Sequence, residues 1–195
     1  MVMSIKLCRK LVSCSADSSI IFYFKDNNEY IKDYSISTNG KNGPVIQTKD
    51  NEICYHEYNN STLCFYDLLE RKIITKINNI SVKGYIYDSL VMMTKDLLLA
   101  TGENKLSIIN INSHNIIRTI DVSGSGRIRC ACMLNENMLL TGDGNKRIIQ
   151  WKIEGENLQL ISIKENAHEG SVSTLSKIGN GLIISGSGDK FVKIW

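Results

Sequence analysis

Short apolar runs separated by small polar residues set the pattern of this chain, and residues 182–195 show it most clearly. Two apolar runs, 182–184 and 191–195, flank the segment Ser-Gly-Ser-Gly-Asp at 185–189. In the second run Phe191, Lys193 and Trp195 alternate with Val192 and Ile194. This alternation has the two-residue period of a strand. Gly and Asp are favoured in tight turns because they tolerate or stabilise unusual backbone angles. The pattern therefore predicts a β-hairpin.

The same hairpin pattern recurs along the chain at a nearly constant spacing. Its copies end at positions 23, 66, 110, 151 and 195, which gives steps of 43, 44, 41 and 44 residues. The third copy is one residue tighter at its turn. Six residues before each end stands Asp or Asn, at Asp17, Asn60, Asn104, Asn145 and Asp189. Self-similarity of this period indicates a repeat architecture.

Further apolar segments between the hairpins complete each repeat. Ile73–Ile77 and Ile116–Ile120 share a pattern after their hairpins, while Ile128–Met133 and Val172–Leu175 precede theirs. Frequent Gly and Asn leave no room for a long helical periodicity. Four short antiparallel strands per period of 40–45 residues are typical of a β-propeller blade. We therefore predict an all-β fold, a β-propeller of four-stranded antiparallel blades in one domain over residues 1–195, with repeats at about 1–39, 40–80, 81–123, 124–166 and 167–195.

The last repeat carries Ala-His-Glu-Gly-Ser-Val at 167–172, Ser-Gly-Ser-Gly-Asp at 185–189 and Lys-Ile-Trp at 193–195. With these motifs it resembles the WD-repeat family. In that family a His before the first strand, a hydroxyl on the second, an Asp in the next turn and a Trp on the third form a hydrogen-bonded tetrad. The resemblance implies that this structural tetrad is His168, Ser185, Asp189 and Trp195. The set is chemically consistent, because Trp only donates and a hydroxyl can accept and donate.

Earlier repeats keep only parts of the tetrad. The fourth has Thr141, Asn145 and Trp151, with Gly124 where the His would stand. The resemblance is clearest over 124–195, and the repeats before it are degenerate. The remaining matching positions are Asn104 and Asn110 in the third repeat, Asn60 and Tyr66 in the second, and Ser13, Asp17 and Tyr23 in the first.

The number of repeats predicts an incomplete ring. Four units and three strands of a fifth account for the 195 residues. Related rings usually have seven blades, and an open arc would expose two sheet edges, which proteins normally cover. We expect a piece of a longer ring; self-association through the open sheet edges is the alternative.

Composition indicates the cellular compartment of the protein but not its function. The chain has 43% apolar residues, a formal net charge of +3, six cysteines and three histidines. No cysteine pair has C-x-x-C spacing, so we predict no zinc site and free thiols in a reducing compartment. We find neither a signal peptide nor an apolar run near the roughly 20 residues of a membrane span. These features predict a cytoplasmic protein, with the nucleus as the alternative, and no membrane partner.

No motif predicts catalysis, a metal or a cofactor. The tetrad already accounts for His168, the only histidine in a recognisable pattern. Glycine-rich segments at 123–127 and 185–189 lack the Gly-Lys-Ser/Thr ending of a phosphate loop, and the second leads into a strand rather than a helix. The net charge of +3 disfavours a nucleic-acid partner. We therefore predict no enzyme, no cofactor and no bound metal.

The expected function is a scaffold or adaptor that binds protein or peptide partners. Loops on a repeated scaffold are where recognition residues are expected. In WD-repeat relatives the favoured surface is built from inter-blade loops and from the turn after the second strand. The resemblance places eight candidate partner-binding residues there: Tyr58, Asn59, Glu103, Arg127, Asp143, Lys146, Glu169 and Lys190. Two alternatives stay open: the substrate-recruiting arm of a larger ubiquitin ligase or kinase, and a microtubule-associated protein.

Overall fold

The computed structural model describes residues 2–7, 10–57, 62–78, 87–122, 124 and 126–195. The chain divides into two compact units, Met1–Tyr87 and Asp88–Trp195. Both are built from antiparallel sheets in which each strand pairs with its neighbour in sequence. This order follows from the tight turns, because a strand that reverses after two to four residues must pair with its predecessor.

The first unit contains two four-stranded sheets. A shared core joins them, in which the Phe22 ring stacks on Tyr34 at a centroid distance of 4.3 Å and lies 6.1 Å from Tyr66. The strands of the first sheet are β1 (Val2–Leu7), β2 (Lys10–Ser15), β3 (Ser19–Asp26) and β4 (Glu29–Ser37). Those of the second are β5 (Asn42–Lys49), β6 (Glu52–Glu57), β7 (Thr62–Asp67) and β8 (Lys72–Ile77).

The second unit contains two four-stranded sheets and one three-stranded sheet among its described residues. The third sheet of the chain comprises β9 (Tyr87–Met92), β10 (Leu97–Gly102), β11 (Lys105–Asn110) and β12 (Asn115–Asp121). The fourth comprises β13 (Ile128–Asn135), β14 (Met138–Asp143), β15 (Ile148–Glu154) and β16 (Asn157–Lys164). The fifth comprises β17 (Val172–Lys177), β18 (Ile183–Ser187) and β19 (Val192–Ile194), with a short 3₁₀ turn at Gly179–Gly181.

The predicted all-β fold with mostly four-stranded blades is confirmed. Each sheet lies within one predicted repeat, and the repeat ends at 23, 66, 110 and 151 lie on β3, β7, β11 and β15. In the second to fourth sheets the second and third strands are the most deeply buried: all six residues of β10 are buried, whereas most of β12 is exposed. Strands covered on both faces read as continuous apolar runs, which explains segments such as Leu-Leu-Leu-Ala in β10.

Close packing of β17 against β14 depends on Gly142. A Cβ at Gly142 would lie 2.6 Å from Val172 Cγ1 and 2.7 Å from Cys130 Sγ. Val172 is fully buried in the cluster that joins the fourth and fifth sheets. Gly142 therefore allows β17 to approach β14 more closely than any side chain would permit.

Long helices are absent from the described residues, where the only helical element is the 3₁₀ turn. No helix in that part of the chain is long and apolar enough to cross a membrane.

Candidate functional site

The fifth sheet joins His168, Ser185, Asp189 and Trp195 by hydrogen bonds. His168 lies in the segment before β17, Ser185 on β18, Asp189 in the following turn, and Trp195 directly after β19. His168 Nε2 is 2.7 Å from Ser185 Oγ, and Nδ1 is 2.8 Å from Asp189 Oδ2. The Trp195 indole donates to Ser185 Oγ at 2.8 Å. One proton assignment satisfies every group: Ser185 donates to Nε2, and Nδ1–H donates to Asp189.

Asp189 accepts hydrogen bonds from the backbone as well as from the histidine. Its Oδ1 accepts from Phe191 N at 2.9 Å, and its Oδ2 accepts from Glu169 N at 2.9 Å. Burial opposes ionisation of Asp189, but these two N–H groups and the His168 ring outweigh it and hold its pKa well below the usual range. The carboxylate therefore ties the segment before β17 to the turn before β19.

The fourth sheet keeps the indole contact and replaces the histidine. Trp151 Nε1 donates to Thr141 Oγ1 at 2.9 Å, the counterpart of the Trp195–Ser185 contact. Gly124, predicted at the histidine position, is exposed. In this sheet Asp143 accepts from the Arg147 backbone N at 3.0 Å and from Arg147 Nε at 2.9 Å. An Asp–Arg pair thus braces the turn that a His–Asp pair braces in the fifth sheet.

Asp143 corrects the predicted partner-binding surface. We expected its carboxylate on the exposed face, but the side chain is 0% exposed and forms an ion pair with Arg147. A carboxylate that is buried and paired with a guanidinium is not available to a partner. Sequence reasoning missed Arg147, although the spacing Asp-x-x-x-Arg across a tight turn was a signal for this pair.

The Asx residues of the earlier repeats make different contacts. Asp17 Oδ1 accepts from Ser19 Oγ at 2.6 Å and from Ser19 N at 2.9 Å, and these bonds lower the pKa of this exposed carboxyl. Asn145 Nδ2 donates to the carbonyl of Gly124 at 2.8 Å. Asn104 lies exposed in its turn. Asn60 lies outside the described residues.

A repeated backbone contact joins neighbouring repeats at one end of the sheets. Ser18, Lys146 and Lys190 directly follow the Asx residue of their turns and have φ of 68°, 70° and 74°. In the tighter third repeat Glu103 takes this left-handed conformation, with φ of 43°. The Ser18 carbonyl accepts from Thr38 N at 2.9 Å in the first unit.

In the second unit the same contact recurs between successive repeats. The Lys146 carbonyl accepts from Ala167 N at 2.8 Å, and the Glu103 carbonyl accepts from Ile128 N. The Arg127 carbonyl accepts from Gly144 N at 2.8 Å. The first two bonds tie the turn of one repeat to the segment that enters the next, and the Arg127–Gly144 bond ties the segment that enters the fourth repeat to that repeat's own turn.

Five predicted partner-binding residues therefore lie at one end of the sheets in the second unit, which we call the loop end. Lys146, Glu169 and Lys190 are exposed there, while Glu103 and Arg127 are half-buried. The turn after a second strand and the segment before a first strand lie at the same end of an antiparallel sheet. Tyr58 and Asn59 lie outside the described residues. The loop end is defined by Glu103, Arg127, Lys146, Glu169 and Lys190.

The described reactive side chains are engaged or buried. Both ring nitrogens of His168 have partners, and the residue is 1% exposed. Cys14, Cys54, Cys64, Cys130 and Cys132 are free thiols, and burial raises the pKa of both Cys14 and Cys64 to about 12. Thiols with such pKa values are poor nucleophiles. No three metal-ligating side chains converge among the described residues.

Comparison with known proteins gives one sequence match and many structural ones. Residues 159–195 match the family model described as WD domain, G-beta repeat. No curated protein matches the chain. The structure is similar to a chain of the crystal structure of the mitotic checkpoint complex, with a TM-score of 0.79 and 14% identity over 96% of this chain and 58% of the other. It is also similar to the WD40 β-propeller domain of Doa1, with a TM-score of 0.79 and 14% identity over 98% of this chain and 62% of that domain.

These comparisons bear on fold more than on activity. The chain spans about three-fifths of the length of both solved structures. At 14% identity, the likeness shows the fold alone. The family match covers the repeat that contains His168, Ser185, Asp189 and Trp195, where the sequence resemblance is also clearest. Residues 159–195 thus carry a WD repeat, and the chain has the fold of a WD40 β-propeller.

Proposed function

We propose that this chain is a non-catalytic scaffold that binds protein or peptide partners through the loop end. The observation that carries the proposal is that the loop end combines a fixed backbone with exposed side chains. Lys146 shows this most directly: its carbonyl accepts from Ala167 N, while its side chain is exposed.

A fixed backbone matters because ordering a loop on binding costs free energy. At the loop end the turns are held by Asp143 and Asp189 and by backbone bonds to the next repeat. Lys146 and Lys190 therefore leave the surface from defined positions. Recognition residues on loops that a rigid scaffold positions are a common arrangement in binding proteins.

The charges of the loop end favour partners with acidic residues. Of the side chains that define it, the exposed ones are Lys146, Lys190 and Glu169, an excess of one positive charge. Complementary charges at an interface speed association and set orientation more than they raise affinity. One of the similar solved structures is a chain of a mitotic checkpoint complex, which is in keeping with a role in protein assembly.

A catalytic role would need convergent groups free to react. His168 is instead hydrogen-bonded to Ser185 and Asp189, and its burial keeps it from a substrate.

We also propose that the protein resides in a reducing compartment, the cytoplasm, because the five described cysteines form no disulfide.

The test compares the proteins captured by three forms of the chain. The double variant Lys146→Ser/Lys190→Ser removes two charges from the loop end. The control Lys95→Ser/Lys152→Ser removes two exposed charges elsewhere in the same unit. Capture from a cell extract is quantified by mass spectrometry, and each candidate is then purified and titrated against all three forms.

We expect a partner that binds the wild type and the control with equal affinity and binds the loop-end variant at least about tenfold more weakly, a difference of about 1.4 kcal/mol. Equal affinity of every purified partner for all three forms would contradict the proposal.

A further inference from the structure

The first unit contains a pocket between its two four-stranded sheets. Its volume is about 310 Å³, at the lower end of the range for ligand-binding pockets. The end of β4 and the residues that follow it form one side, and the start of β8 with side chains from β6 and β7 forms the other. This size suits one side chain or a small molecule. The apolar part of the wall consists of Ile36, Tyr55, Tyr66 and Ile73.

Arg71 lines the pocket and is positioned by two stacked aromatic rings. Its Cζ lies over the Tyr34 ring, 4.3 Å from the centroid. Phe22, which is fully buried, stacks on the same ring at 4.3 Å, so Phe22 and the guanidinium cover opposite faces of Tyr34. Contact with the ring limits the orientations of the guanidinium while leaving its N–H donors accessible. Arg71 therefore presents a preorganised fork of donors.

The backbone of Arg71 has a conformation that is unfavourable for arginine. Its φ is 51°, and the corresponding turns of the first, third and fourth sheets place Asn27, His114 and Gly155 in the same left-handed region. Glycine has no steric penalty there, and Asn and His are enriched among the other residues that adopt it. Strained residues of this kind cluster at binding and active sites. The side chain of Arg71 is therefore where a ligand contact is expected.

Arg71 and Lys72 are only loosely paired within the protein. Arg71 lies 3.9 Å from an oxygen of Asp33, and Lys72 lies 3.7 Å from an oxygen of Glu70. Both distances are longer than a hydrogen bond, and both cationic side chains are exposed. Exposed ion pairs of this length contribute little to stability. A carboxylate in the pocket would thus gain hydrogen bonds that these two cations do not make with the described residues.

The far end of the pocket already holds a compensated negative charge. Lys76 lies near the end of β8, and its Nζ is 3.3 Å from Oε2 of Glu57. The Glu57 side chain is 3% exposed, so its charge is buried beside its cation. A second anion at this end would be repelled by Glu57. The arrangement favours a ligand with one negative group at Arg71 and an uncharged remainder.

We propose that this pocket binds a carboxylate carried on an apolar body, with the carboxylate on Arg71 and Lys72 and the body against the apolar wall. The planar fork of an arginine meets a carboxylate through two parallel hydrogen bonds. The C-terminal residue of a partner polypeptide and a free carboxylic acid share this chemistry. A phosphate is disfavoured because Asp33 and Glu57 oppose its second negative charge. The pocket lies in the first unit and does not depend on the function proposed for the loop end.

The probe is 4-phenylbutyrate, titrated into the 195-residue chain with labelled isoleucine methyl groups and followed by NMR. We expect the methyl signals of Ile36 and Ile73 to shift. The alcohol 4-phenyl-1-butanol has the same body without the charge, and we expect it to bind at least about tenfold more weakly. The dianion 3-phenylpropylphosphonate should also bind more weakly than the carboxylate.

A pair of peptides distinguishes the two sources of the carboxylate. Acetyl-Ala-Ala-Phe with a free C-terminus should bind, and the same peptide with a C-terminal amide should bind at least about tenfold more weakly. Tighter binding of the free peptide than of 4-phenylbutyrate would assign the pocket to the C-terminus of a partner protein. The opposite order would assign it to a free carboxylic acid.

Variants of Arg71 test the fork separately from the charge. Arg71→Lys keeps the charge without the planar fork and should weaken binding by about tenfold. Arg71→Gly should abolish binding yet fold, because glycine adopts this φ without strain. Arg118→Lys makes the first change at an exposed arginine of the second unit and should have no effect. The loop-end change Lys146→Ser should likewise leave binding unchanged, which separates this pocket from the proposed scaffold function.

Three results would overturn the proposal. One is equal binding of 4-phenylbutyrate and its alcohol. Another is undiminished binding of 4-phenylbutyrate to folded Arg71→Lys and Arg71→Gly variants. The third is tighter binding of the phosphonate than of the carboxylate, which would assign the pocket to a dianion.

Discussion

Asp143 and Arg147 form a buried ion pair across the turn between β14 and β15, with Arg147 Nη2 2.8 Å from Asp143 Oδ2. The Asp143 side chain is 0% exposed and that of Arg147 is 9% exposed. In the fifth sheet His168 and Asp189 brace the turn between β18 and β19 instead, so two chemically different pairs at different positions brace equivalent turns. Two neighbouring repeats have thus reached the same turn geometry with different charges.

Removing Arg147 should strongly destabilise the second unit. Arg147→Ala leaves the Asp143 carboxylate buried without its cation, which costs about 3–5 kcal/mol. Chemical denaturation measures the change in free energy of unfolding. Lys152→Ala is the matched control, because Lys152 and Glu154 are also 2.8 Å apart but lie in solvent. The control should lose less than about 1 kcal/mol; equal losses would contradict a special role for burial.

The two indoles should differ in their effect on stability. Trp151→Phe leaves the buried Thr141 hydroxyl without its donor, which we expect to cost about 1–3 kcal/mol. Trp195→Phe breaks the same kind of bond, but Ser185 keeps its hydrogen bond to His168 and the Trp195 side chain is already 38% exposed. Its effect should be smaller. Thermal unfolding of both variants checks the order, and a larger loss for Trp195→Phe would contradict it.

Asp189 should make the fold sensitive to acid. Its pKa is lower in the folded chain than in the unfolded chain, so its stabilising contribution is present above the unfolded value, about 3.9, and is lost as the pH falls through the folded value. Melting temperatures of the wild type and Asp189→Asn should therefore differ most at neutral pH and converge on acidification below about pH 4. A difference that stays constant from pH 7 downward would show that Asp189 acts without its charge.

Gly142 should not tolerate a methyl group. Gly142→Ala places a Cβ within 2.7 Å of Val172 and Cys130, and overpacking of this kind costs about 1–3 kcal/mol. Gly188→Ala is the control, because no atom lies within 4 Å of the added Cβ there. Val172→Ala in the Gly142→Ala background should recover part of the loss. A neutral Gly142→Ala would show that β17 can move away from β14 at little cost.

Local sequence determined the repeats and their turns. Asx residues at a constant offset predict tight turns because their side chains bond nearby backbone N–H groups, as Asp17 does with Ser19. The ends of the strands follow from the same turn residues, because the alternation of side chains along a strand stops where the turn begins. The sequence also singled out His168, Ser185, Asp189 and Trp195, because the family pattern names each position separately.

Tertiary structure decided which of these residues are buried and which are free to bind. Asp143 and Lys146 lie three residues apart at the turn between β14 and β15, yet the Asp143 side chain is 0% exposed and Lys146 is exposed. The same holds for the pair Asp143 and Arg147. An acid and a base four residues apart can face solvent or be buried, so only the packing of the repeats decides whether the pair is buried. Likewise, Trp151 and Trp195 share one sequence position and one hydrogen-bond type. Trp151 is 4% exposed because β16 covers its strand, and burial of this kind depends on neighbours that no local pattern specifies.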